Sequence, residues 1–327
     1  MTKVKRNKVA LWGASLCAFG LVAGLAACAP QSATDAGDDA AATSNAKLPQ
    51  QEGTPEADEY GVVTAEAWKD VYPYQYGSYM ENEANSPDSG KHDYLELYPA
   101  LNTMYKGYAF ALGYDEASSH VYALQSVKET PRTTQKEQLA NCITCKTPQF
   151  TAKVNSEGDE VYTEKFNDMI GEFTEPISCY NCHENEPQSL SVTGQYFVKS
   201  LGSDYGEASE VPMESQVCGQ CHNEYYFDPD TKVTTNPYEG TDEMTPDAIL
   251  AYYDERGYKD WEHADTLAPM IKVQHTEFET MYGGDMAPMA KQGYSCADCH
   301  MGTILGEDGE YTSHNWTSPL ENLQLVE

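Results

Sequence analysis

The chain has 327 residues, with 52 acidic against 20 basic side chains and a net charge of −32. Forty per cent of the residues are hydrophobic, enough to bury a core in one or two domains and too many for a chain disordered throughout. The charge excludes a nucleic-acid binder, which needs a basic footprint, and argues against adsorption to anionic lipid.

In chain order, Lys3, Lys5, Arg6 and Lys8 precede an apolar run from Ala10 to Ala27 that closes on Leu25-Ala26-Ala27-Cys28. A charged start, an apolar middle and small residues at the cut form an export-signal layout. With cysteine next, it resembles a bacterial lipoprotein signal over 1–27 in which Cys28 is lipidated; a plain membrane anchor is the competing reading. Residues 28–60 are small, polar and acidic and read as a flexible tether. Residues 61–327 follow as one domain. Removing the signal leaves 16 basic against 52 acidic side chains. The protein is expected outside the cytoplasm, at the cell surface or in the periplasm, lipid-anchored to a membrane.

Tyr94 to Leu112 carries Leu97, Leu101, Met104, Tyr105 and Tyr108 at helical spacing, which predicts a helix with a core face. Ser191 to Leu201 reads as a short hairpin or strand. Thr245-Pro246-Asp247 predicts a capped helix running to about Arg256, with Gly257 as its stop.

Apart from Cys17 and Cys28, the cysteines form four C-x-x-C pairs: Cys142/Cys145, Cys179/Cys182, Cys218/Cys221 and Cys296/Cys299. Disulfides and zinc ribbons would use such pairs. However, His183, His222 and His300 directly follow three of them, and C-x-x-C-H is the attachment signature of c-type haem. Two thiols bond the porphyrin and the adjacent imidazole reaches the iron. The first pair is followed by Lys146 instead. A lysine must lose a proton that it normally holds to about pH 10.4 before it can ligate iron. That cost suits a haem that differs from its neighbours and has a face open to substrate, rather than one more relay.

CxxCK followed by several CxxCH motifs resembles the ammonia-forming cytochrome c nitrite reductases, and the likeness runs from about Tyr94 to Pro319. His120-Val-Tyr-Ala, with Arg132 twelve residues on, is similar to the family's segment bearing a distal haem ligand and an active-site arginine. CGQCHNEYYF puts Glu224 at a calcium ligand and Tyr225 at both a calcium ligand and the active-site tyrosine. Lys272-Val-Gln274-His275 matches K-x-Q-H, whose lysine and glutamine bind calcium and whose histidine faces substrate. YTSHNW places His314 as distal ligand of the haem at Cys179/Cys182.

The resemblance implies a mainly α, loop-rich multihaem cytochrome c fold with little β, in which haems form much of the core. It implies reduction of nitrite to ammonium by six electrons and eight protons, with haem c and Ca²⁺ as cofactors. Lys146, Arg132, Tyr225 and His275 would be the catalytic residues, and a quinol-oxidising membrane multihaem cytochrome the electron donor. A homodimer is the corresponding assembly. The competing function is a non-catalytic multihaem electron-transfer lipoprotein; hydroxylamine or sulfite reduction is a conceivable side activity.

The family carries five haems and this chain encodes four, ending near where a fifth motif would begin. The haem at Cys296/Cys299/His300 is then expected to lack its distal ligand within the chain. Met286 sits near a position where the family has a histidine, with packing the favoured role. His92 and His263 are expected to be ordinary histidines.

Overall fold

A computed structural model describes residues 53–307 and 309–321. The signal, Cys28 and most of the tether lie outside the described residues.

Short helices and 3₁₀ turns joined by loops make up nearly all of the described chain, and the longest helix is Pro246–Arg256, of 11 residues. Thr245 caps that helix by accepting from the Ala248 amide, Pro246 takes the first helical position, and Gly257 ends it at φ 58°. Three two-stranded antiparallel ribbons are the only described sheets: Tyr226–Phe227 with Thr234–Thr235, Trp261–Glu262 with Pro269–Met270, and Thr303–Gly306 with Gly309–Thr312. The expectation of a mainly α fold with little β holds.

Two predicted elements differ. Tyr94–Leu112 is not one helix: Tyr94–Leu97 and Leu101–Met104 are single turns. Pro99 forces the break, because it offers no amide and disfavours the α conformation at Tyr98, which sits at φ −123°, ψ 76°. Leu97 and Met104, expected in the core, are 44% and 51% exposed. Ser191–Leu201 is not a hairpin: Gln195–Leu201 is helical. Phe197 and Leu201, four apart, bury one face of that helix.

Two apolar clusters frame the cysteine motifs. Leu124, Ile143, Phe150, Phe166 and Phe173 lie in the first, with Cys142 packed against it. Phe197, Leu201, Val217, Phe278 and Tyr282 lie in the second, against which Cys182, Cys218 and Met286 pack. Met286 therefore has the packing environment favoured for it. His92 is exposed beside Glu116, whereas buried His263 holds the Thr103 carbonyl oxygen through Nε2 at 2.8 Å. No described helix is long and apolar enough to cross a membrane.

Candidate multihaem active site

Local capping fixes the motifs that end in histidine. Helix Cys296–His300 begins with a capping box between Ser295 and Asp298, and at helix Cys179–His183 Asn181 Oδ1 accepts from the Ser178 amide at 3.0 Å. These contacts fix the start of each five-residue helix, so the two thiols and the imidazole are presented from one turn. The third motif opens at the end of helix Met213–Gly219. Gly219 is required there: a Cβ would stand 2.4 Å from the Phe278 ring and 2.8 Å from Phe197.

Three of the imidazoles are held by one nitrogen, whereas the buried Nδ1 of His120 has no hydrogen-bond partner. Nδ1 faces a backbone carbonyl oxygen in His183 (Ser189, 2.7 Å), His300 (Thr317, 2.9 Å) and His314 (Thr312, 3.0 Å). This contact selects the tautomer that leaves Nε2 for a metal. His314 stands opposite His183 with ring centroids 6.2 Å apart, and His120 stands opposite His222 at the same 6.2 Å. Two metal–imidazole bonds of about 2 Å, plus roughly 1 Å from each nitrogen to its ring centre, span about that distance, so an iron fits between the rings of each pair. Burial pushes His120 down to about 3 and His314 down to about 4, which keeps both imidazoles neutral and ready to ligate. Trp316 touches both distal rings, His120 at 4.6 Å and His314 at 6.1 Å. The sequence contained this tryptophan in YTSHNW without assigning it a role.

The motifs adjoin one another. Cys145 meets Cys221, Cys218 meets Cys296, and the charge of Cys182 is felt at both Cys218 and Cys221. The third motif is thus the hub that the other three approach. Cys145 and Cys221 both line a cavity of about 350 Å³ together with Tyr162 and Tyr196.

The first pair is built differently. Cys142 sits on the 3₁₀ turn Ala140–Ile143, and Cys145 takes a left-handed conformation at φ 61°. For a non-glycine residue this costs on the order of 1–3 kcal/mol, the kind of strain that collects at functional sites. The strained residue immediately precedes Lys146.

Arg132 and Tyr225 come to this pair. The Arg132 charge acts on the Cys142 thiol, and both thiols act on the Tyr225 phenol. Burial, then Cys145 and Cys142, push the Tyr225 hydroxyl far above its usual range, so it stays protonated as a donor. Arg132 donates from Nε to the Leu112 carbonyl oxygen at 2.9 Å and lies 5.3 Å from the centre of the Tyr114 ring. The Lys272 ammonium lies 5.4 Å from the same ring. Two cations therefore flank Tyr114, and the Lys272 side chain contributes a charge that the K-x-Q-H assignment did not use. His275 is placed against His222, with ring centroids 5.7 Å apart, and Glu277 Oε1 stands 3.8 Å from Nδ1 of each. The sequence reading passed over Glu277.

The residues expected to hold calcium converge. Glu224, 1% exposed, accepts from the Gln274 amide at 2.6 Å and from the Tyr253 hydroxyl at 2.9 Å. The side-chain oxygen of Gln274 accepts from Lys272 Nζ at 2.9 Å. Glu279 Oε1 accepts from the Glu224 amide at 2.9 Å, while its buried Oε2 has no hydrogen-bond partner. Burial first, then neighbouring carboxylates, push Glu224 and Glu279 up to about 7. A buried acidic pair with an orphaned oxygen suits a hard divalent cation.

Comparison with known proteins agrees with this architecture. The Cytochrome c552 family description matches residues 64–325. A cytochrome c-552 of Parabacteroides distasonis is 36% identical over 239 residues, covering 70% of this chain and 47% of that protein. The cytochrome c nitrite reductase subunit NrfA of Nitratidesulfovibrio vulgaris is 32% identical over 298 residues, covering 79% and 56%. The chain spans about half the length of these curated relatives. The solved NrfA catalytic subunit of Desulfovibrio desulfuricans cytochrome c nitrite reductase, described with two calcium sites, superposes with a TM-score of 0.71 at 28% identity. That match covers 82% of this chain and 64% of the other.

Proposed function

The chain belongs to the cytochrome c552 family, and on that premise we propose that it reduces nitrite to ammonium at the site headed by Lys146. One contrast carries the reading. At two motifs a second imidazole stands 6.2 Å across from the motif histidine, so a haem there would be held from both sides, whereas the lysine-headed motif gathers Arg132 and Tyr225.

Haem c, which Cys142/Cys145, Cys179/Cys182, Cys218/Cys221 and Cys296/Cys299 would hold, would supply redox-active iron. His183 with His314, and His222 with His120, would hold two of these groups from both sides, which suits electron relay rather than substrate binding. His300 is the proximal ligand of the fourth motif. Because Cys145, Cys182 and Cys296 all approach the third motif, a haem held there would adjoin those of the other three motifs and could pass electrons between them.

Lys146 would hold the iron at the first motif through its neutral amine, the form in which a lysine can donate a lone pair to a metal. Arg132 and Lys272 together form a cationic recess in a strongly acidic protein, and the fixed, planar charge of Arg132 suits a bent anion with two oxygens. Tyr225 keeps its proton and donates a hydrogen bond to bound nitrite. His275 brings an imidazole, which can take up a proton at one ring nitrogen and release one, to the same site. Each turnover takes six electrons and eight protons and yields ammonium and two waters. Glu224, the carbonyls of Tyr225 and Lys272, and the Gln274 side chain would hold Ca²⁺, which fixes Tyr225 and the segment bearing His275. The electron donor would be a quinol-oxidising membrane multihaem cytochrome, with this protein exported and anchored through Cys28.

The test uses chemically reduced holoprotein under anaerobic conditions, with nitrite added, ammonium quantified and haem counted on the same sample. Ammonium in stoichiometric yield is expected from the four-haem chain. Lys146→His should keep four haems and lower turnover by about a hundredfold or more, the scale of losing a transition-state contact. Unchanged turnover would remove Lys146 from the active site; four haems without any ammonium would leave an electron carrier.

A further inference from the structure

We propose that Glu277 is a positioning residue shared by His222 and His275, and that its carboxylate lowers the reduction potential of the haem bound through His222. This rests on reading His222 as an iron ligand. Glu277 Oε1 lies 3.8 Å from Nδ1 of His222 and 3.8 Å from Nδ1 of His275, in the notch where the two rings meet edge to face. The placement is built into the backbone. Glu277 opens the helix Glu277–Tyr282, and the next amide, Phe278, donates to the His222 carbonyl oxygen at 3.1 Å. The Phe278 ring is buried against Gly219, so the helix start and the third motif are locked together.

Three of the other imidazoles read as iron ligands do not share this arrangement. Nδ1 of His183, His300 and His314 faces a neutral backbone carbonyl. A carboxylate beside Nδ1 makes an imidazole a stronger donor than a carbonyl does, and a stronger donor favours ferric over ferrous iron. The haem at the hub is therefore held at a lower potential than its geometry alone would give, a poise suited to passing electrons on to the lysine-headed site. The same oxygen turns Nδ1 of His275 away from substrate and leaves Nε2 as the nitrogen free to work there.

Glu277→Gln keeps the shape and removes the charge. The side chain is 61% exposed, so the variant should fold. In a spectroelectrochemical titration of the four-haem protein, one haem should become easier to reduce by on the order of tenfold, equal to about 59 mV for one electron, while the other three stay in place. Glu277→Asp, which keeps the charge but withdraws it by one methylene, should move the same haem upward by less. Four unchanged potentials in either haem-replete variant would overturn the proposal. A parent chain that does not attach haem would instead refute the ligand assignment of His222, and the haem count separates the two failures.

Discussion

Calcium removal should destabilise this protein strongly at pH 8 and hardly at pH 5. Glu224 and Glu279 sit back to back, 1% and 6% exposed, each pushed from 4.5 up to about 7 by burial and by other carboxylates. Between those values the folded chain holds protons that the unfolded chain has released. Stability without a cation therefore falls as pH rises through the window from 4.5 to 7 and stays low above it. A shift of roughly 2.5 units corresponds to about 3 kcal/mol for each carboxyl. A divalent cation at Glu224 offsets that loss where the carboxyls are ionised and has little to neutralise at pH 5, where they are protonated. For a chain of this size each kcal/mol moves the melting temperature by about 2–4 °C. Thermal melts with calcium and with a calcium chelator should therefore differ by roughly 6–12 °C at pH 8 if one carboxyl's contribution is recovered, and by a degree or two at pH 5. Glu224→Gln should flatten the pH dependence of that difference. Equal chelator effects at both pH values, or none at pH 8, would refute the placement of a cation at this pair.

Two other perturbations read the geometry directly. His314→Ala or His120→Ala should each open one axial position, so that reduced holoprotein binds one more equivalent of carbon monoxide per chain than the parent; no additional binding would show that the 6.2 Å ring pairs do not enclose an iron. Gly219→Ala forces a methyl group to within 2.4 Å of Phe278 and should cost about 1–3 kcal/mol, seen as a lower melting temperature with the haem count retained.

The cysteine motifs were legible because their chemistry is local: two thiols and a ligand must come from one turn, so five consecutive residues carry the signal. The helix from Pro246 was legible for the same reason, since cap, first-turn proline and terminal glycine act within a few residues. Tyr94–Leu112 misled because periodicity was allowed to outweigh one proline, and Gln195–Leu201 because a helix of 7 residues carries too little period to be told from a strand. With haems expected to fill space that apolar side chains would otherwise occupy, hydrophobic period is a poorer guide to the core here than in an ordinary helical domain.

The site was legible one residue at a time, and its couplings were not. His120 could be read as a distal ligand, but nothing in the order of residues says that it faces His222, 102 positions on, rather than another proximal histidine. Lys272 was assigned for its carbonyl, yet its ammonium lies against the ring that also receives Arg132, so one residue contributes to both the calcium-binding segment and the cationic recess. Gln274 makes the link tighter: its amide holds Glu224, its side chain holds Lys272, and the next residue is His275. A cation lost at Glu224 would therefore disturb the Lys272 charge and the His275 imidazole together, and with them the proposed anion and proton contacts. For that reason the chelator experiment, repeated with nitrite turnover as its readout, should show activity failing at pH 8 before the fold does.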